Sequence, residues 1–100
     1  MVQAAIALYA PRPVKYVLYY ESGDDVATLA PLHFAEHKAR WQEFAERGCL
    51  LAIGPFTDGT AAMGVFTTRA DAEAFAAGDP FVHHGVVRSW AIREWNEALL

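Results

Sequence analysis

Two histidines, His33 and His37, stand four residues apart in a segment that holds neither Gly nor Pro from residue 32 to residue 47. Imidazole is the side chain best suited to moving a proton near neutral pH, so this pair is the first place to look for chemistry. On a helix both rings would lie on one side, a turn apart. Such a pair can also share a metal ion. Two ligands do not complete a site, however, and Glu36 lies between them at a spacing other than that of the H-E-x-x-H zinc motif. His83 and His84 would have to be brought alongside. The metal reading is the weaker one, and no metal or other cofactor is expected.

Asp79, between Gly78 and Pro80, has two readings. A carboxylate before a proline suits an N-cap, with Pro80 opening a short helical turn. The same carboxylate could orient and charge-balance an imidazole, as acid–base catalysis requires. The roles are compatible if the cap faces a pocket. Gly54-Pro55 reads as a turn, or as a place where backbone comes close to a ligand. Tyr16, Phe81 and His33 are candidates to line such a pocket. Aromatic residues such as Tyr19, Trp41, Phe56, Trp90 and Trp95 equally suit a core or a dimer contact. Cys49 precedes the apolar run Leu50-Leu51-Ala52-Ile53 and reads as a buried, inert thiol. The sequence contains no Gly-rich phosphate loop, nucleophile elbow or Cys-x-x-Cys pair.

These side chains need elements to position them. Residues 14–20 (VKYVLYY) are rich in Val and Tyr, which predicts a strand, and residues 21–25 are polar and read as a loop. Pro31 suits the first turn of a helix that runs to a glycine C-cap at Gly48, with Arg47 in its last turn. At about 100° per residue, Phe34, Trp41, Phe44 and Ala45 form its apolar stripe. His37 falls within that stripe and His33 towards its margin. His37 therefore faces the protein and needs a hydrogen-bond partner there, either as a satisfied core residue or as a functional one.

Residues 49–53 read as a buried strand, Asp58-Gly59 as a turn, and residues 61–67 as a returning strand. Thr68 with Asp71 resembles a capping box, opening a helix from Arg69 to about Ala77. A short turn over residues 78–85 leads to a last strand over residues 86–93. The order β-α-β-β-α-β is the ferredoxin-like α+β sandwich with an antiparallel sheet. Two helices cover only one face of such a sheet, yet Tyr16-Val17-Leu18-Tyr19-Tyr20 put apolar groups on both. A second copy packed on the open face, as a symmetric homodimer, would remove that liability. The pocket is expected on this open face, beside the interface.

One hundred residues suit a single domain. The hydrophobic share of 54% exceeds the usual ~45–50% and excludes disorder. With a net charge of −4 and only eight Lys and Arg, none of them clustered, nucleic acid and anionic membrane are poor partners. One cysteine permits no intrachain disulfide, consistent with a cytoplasmic protein. The first ten residues are apolar without the basic start of a signal peptide, and no run reaches the ~18 apolar residues of a membrane helix. Residues 1–13 read as an extension, residues 14–96 as the domain, and residues 97–100 as a tail.

Taken in order, His37, the step to Gly48, Leu50-Leu51-Ala52-Ile53-Gly54-Pro55, Gly78-Asp79-Pro80-Phe81-Val82, Gly85-Val86-Val87 and Ile92-Arg93-Glu94-Trp95 resemble the YCII (YciI-like) family. The resemblance spans most of the chain. It implies a ferredoxin-like subunit in a dimeric α/β barrel and a site built on a His–Asp pair, which falls on His37 and Asp79. The additional histidines and residues 1–13 depart from the family pattern. The expected function is a small cofactor-independent enzyme doing isomerase- or lyase-type acid–base chemistry on a small organic molecule. His37 would be its base or acid, and Asp79 would fix the ring's tautomer. The alternative is a non-catalytic dimeric module that holds a small ligand or a metal.

Overall fold

The computed structural model describes residues 13–99, so the extension expected over residues 1–13 lies, but for Pro13, outside the described residues. Among these are strands β1 (Lys15–Ser22), β2 (Leu50–Pro55), β3 (Ala61–Phe66) and β4 (Val87–Trp95), and helices α1 (Val26–Glu46), α2 (Arg69–Gly78) and α3 (Pro80–His83). The sheet order is β2-β3-β1-β4 and every pairing is antiparallel. That is the ferredoxin-like arrangement expected from the sequence. No helix among the described residues is long and apolar enough to cross a membrane.

The long helix departs from expectation at its start. It begins at Val26, and Pro31 lies inside it. The Gly23 N–H donates to Val86 O at 2.8 Å, and Thr28 and Leu29 N–H both donate to Asp25 O, at 3.0 and 2.9 Å. These contacts begin the helix well before the proline, which costs it one ladder bond in the second turn. The helix ends as expected. Gly48 has φ +80°, and its N–H and that of Cys49 donate to Ala45 O and Phe44 O, the Schellman arrangement. Ala45, expected on the buried stripe, is exposed.

Thr68 and Asp71 cap α2 reciprocally: Asp71 N–H donates to Thr68 Oγ1 at 3.1 Å, and Thr68 Oγ1 to Asp71 Oδ2 at 2.8 Å. Strand alternation turns Leu18 and Tyr20 towards the helices, where they join a core with Phe44, Phe66 and Phe75. Phe75 sits 5.2 Å from Phe44 and 5.4 Å from Phe66, ring centre to ring centre. Val17 and Tyr19 consequently face the other side of the sheet. The chain beyond β4 is tied back by a 3.3 Å contact between Lys15 Nζ and Glu97 Oε1, whose carboxylate is buried.

Candidate active site

Asp79 follows α2 and precedes α3, and its side chain is fully buried. Its carboxylate collects three donors. Phe81 N–H donates to Oδ1 at 3.1 Å, which is the N-cap bond of α3. The Tyr20 hydroxyl donates to Oδ2 at 2.7 Å. His37 Nδ1 lies 2.8 Å from Oδ1 and 3.1 Å from Oδ2. An ionised carboxylate only accepts, so Nδ1 carries the shared proton, and a neutral His37 ring keeps its free lone pair on Nε2. The two readings of Asp79 are thus realised together: one carboxylate both caps α3 and holds the imidazole.

Burial is the largest influence on Tyr20, followed by the negative charge of Asp79 and the hydrogen bond to it. All three push the hydroxyl far above the ordinary tyrosine range, so it stays protonated and donates. The His37 ring is sandwiched: Phe81 stacks on it at 3.8 Å with 5° between planes, and Phe75 meets it edge-on at 6.2 Å. The Arg40 guanidinium lies behind the site. Its Nε donates to Phe75 O at 3.1 Å and an Nη to Ala74 O at 2.7 Å, satisfying carbonyls in the last turn of α2. Asp79 immediately follows that turn.

His37 borders a cavity of about 340 Å³. Val26, Ala30, Phe34, His37 and Trp41, at helical steps of three and four, form the α1 wall. Leu18, Tyr20, Ile53, Gly54, Pro55 and Gly64 belong to the facing sheet, and Phe81 closes one side. The cavity therefore lies between α1 and the sheet, not on the open sheet face expected from the sequence. Small residues facing one another across the layers, Ala30 on α1 and Ala62 and Gly64 on β3, leave the space unfilled. A Cβ on Gly64 would come within 3.2 Å of the Phe66 ring and 3.6 Å of Ile53.

Of the residues expected at the site, His37, Gly54, Pro55 and Phe81 border this cavity, and Asp79 stands behind His37. Tyr16 and His33 do not border it. Tyr16 shares Tyr20's face but lies four residues away along β1, beneath the Arg69 guanidinium at 5.3 Å. His33 stacks on His84, 4.0 Å between centroids and 2° between planes. Lone pairs in parallel ring planes do not converge on one ion, and His37 Nδ1 is committed to Asp79. His83 is bonded through Nε2 to Ala77 O at 2.7 Å. Among the described residues, no group of three or more His, Cys, Asp and Glu side chains is arranged to hold a metal ion. Cys49 is buried, with its thiol donating to Phe44 O.

The profile of the YCII-related domain matches residues 14–96. No curated protein matches the sequence. Among solved structures, the chain is similar to 5-chloro-2-hydroxyhydroquinone dehydrochlorinase from Burkholderia phenoliruptrix, in complex with 2,5-dihydroxybenzoquinone. The likeness has a TM-score of 0.69 at 15% identity and covers 84% of this chain and 95% of that one. At that identity the shared property is the fold.

Proposed function

The chain belongs to the YCII-related family, and from that premise we propose that it is a small enzyme moving a proton on a small organic substrate through His37. The reading is carried by one observation: a buried carboxylate holds Nδ1 of an imidazole that borders an apolar cavity. Nε2 takes a proton from carbon next to a substrate carbonyl, or from a substrate hydroxyl. Asp79 stabilises the imidazolium so formed. Tyr20 and the Phe81 N–H hold the carboxylate in place. Returning the proton at another atom completes an isomerisation. Departure of a leaving group on the adjacent carbon, with its bonding electrons, completes an elimination.

Dehydrochlorination, named for the solved relative of the same fold, is an elimination of this kind, which supports the reaction type without naming the substrate. His37, Asp79 and the carbonyl-bearing substrate supply the proton transfer between them, and we include cofactor independence in the proposal. So also a homodimer, whose contact would cover Val17 and Tyr19 on the open sheet face.

The test is proton exchange. Small carbonyl compounds are incubated with the enzyme in D2O and followed by NMR. Wild-type protein should exchange or convert at least one of them, and His37→Ala should be slower by about 10²–10⁴-fold. Equal rates for the two proteins would overturn the reading.

A further inference from the structure

We infer that the cavity admits its ligand only as an electrically neutral molecule and excludes carboxylates, phosphates and other anions. The inference rests on the acid–base reading above and adds the substrate class. Among the described residues bordering the cavity, none is Lys, Arg, Asp or Glu. Tyr20 and His37 are the titratable side chains on its wall. The Tyr20 hydroxyl is spent on Asp79 Oδ2. Among the described residues bordering the cavity, a protonated His37 would be the one cation offered to an incoming anion, but its charge is already balanced by Asp79 at 2.8 Å. With the ring protonated the pair is neutral as a unit, and with the ring neutral it keeps the negative charge of the carboxylate, so in either state an anion would bring an uncompensated charge into apolar surroundings. Transfer of such a charge out of water is strongly unfavourable unless a partner is waiting.

The Arg40 guanidinium does not change this. Arg40 is turned onto the Ala74 and Phe75 carbonyls and over the Phe44 and Phe75 rings. A neutral ligand meets no such barrier. It replaces water against Phe34, Trp41, Ile53 and Phe81, and any acidic proton it carries leaves only inside, to Nε2. Negative charge then forms beside the imidazolium created in the same step, and net charge in the cavity is unchanged. The volume of about 340 Å³ falls at the small end of the roughly 300–1,000 Å³ of ligand pockets, which suits a molecule of about one ring.

Benzyl alcohol and benzoate share a ring and nearly a shape but differ in charge at neutral pH. Their binding to the full chain can be followed by the backbone amide signals of Gly54, Gly64 and Phe81 in two-dimensional NMR. Benzyl alcohol should shift these signals, and benzoate should bind at least ~100-fold more weakly. Phe34→Arg places a cation on a half-exposed position of the cavity wall and should bring benzoate in. Equal affinity for the two probes in the wild type, no shift with either, or no gain of benzoate binding in Phe34→Arg would overturn the inference. The acid–base reading is decided separately by the exchange rate of His37→Ala, so either can fall while the other stands.

Discussion

Phe81 controls His37 from two directions at once. Its ring lies flat against the imidazole, 3.8 Å between centroids, and its backbone N–H donates to the carboxylate that holds Nδ1. Removal of the side chain therefore separates the two contributions. Phe81→Ala keeps the N–H bond to Asp79 but frees one face of the imidazole and enlarges the cavity. Stability should fall by about 2–3 kcal/mol, less than for a fully buried Phe. Turnover should fall by about 10- to 100-fold through misplacement of the ring, and Phe81→Tyr, which keeps the aromatic face, should restore most of it. Full activity in Phe81→Ala would show that Asp79 alone positions the base.

Asp79 offers a sharper test of the tautomer. Three donors converge on its two oxygens, and an amide has only one oxygen to accept them. In Asp79→Asn the amide NH2 would instead donate to Nδ1, moving the ring proton to Nε2 and removing the lone pair the reaction uses. Turnover should drop by roughly 10²–10⁴-fold, while benzyl alcohol still binds. Imidazole ¹⁵N shifts read the tautomer directly, and an unchanged tautomer with lost activity would refute this account. Asp79→Ala leaves the donors without an acceptor and should cost about 3–5 kcal/mol of stability, as does removing one partner of a buried ion pair.

Tyr20 sets a pH dependence of stability. Its hydroxyl is held well above the ordinary tyrosine range by burial and by Asp79, whereas in the unfolded chain it ionises near ~10. Below that pH both states keep the proton and Tyr20 contributes no slope. Above it the unfolded chain releases a proton that the folded protein retains. Stability therefore falls as pH rises, by up to ~1.4 kcal/mol per pH unit from this group. Tyr20→Phe should lose about 1–2 kcal/mol at neutral pH, from the hydrogen bond, and show a shallower alkaline decline. Denaturant titrations across the alkaline range compare the two slopes; identical slopes would exclude Tyr20 as their source.

The residues that were legible in the sequence are those whose local context constrains them. His37 sits between Phe34 and Trp41 on one helical stripe, so its inward direction followed from periodicity. Asp79 between Gly78 and Pro80 announced a cap. Thr68 with Asp71 located the start of α2 and Gly48 the end of α1. Tyr20 carries no such mark, because Tyr16 and Tyr20 share a face of β1. Which of them reaches Asp79 depends on where α3 comes to rest against the strand, a tertiary register that no local pattern carries. The position of the cavity is hidden from the sequence for a related reason. Apolar residues on both faces of β1 point to the open side, whereas the space arises where Ala30 meets Ala62 and Gly64 across the layers. Voids of that kind exist only once the layers are assembled.

Gly78 and Arg40 form the support on which Asp79 rests, and their coupling can be measured. A Cβ at Gly78 would run into one Arg40 Nη atom and stand 2.6 Å from Cζ. The obstruction is the flexible end of a side chain, so Gly78→Ala need not distort the backbone. It must instead push the guanidinium off the Ala74 and Phe75 carbonyls. Both Gly78→Ala and Arg40→Ala should then lose the same bonds, each costing about 1–3 kcal/mol. The double variant should cost no more than Arg40→Ala alone. With the guanidinium gone, alanine at Gly78 should be neutral or gain about 0.4–1 kcal/mol by restricting the unfolded chain, since Gly78 is helical and has no positive φ. Chemical denaturation of the four proteins gives the coupling energy directly. Additive losses would show that Gly78 and Arg40 act independently and that the close packing between them does not support the turn before Asp79.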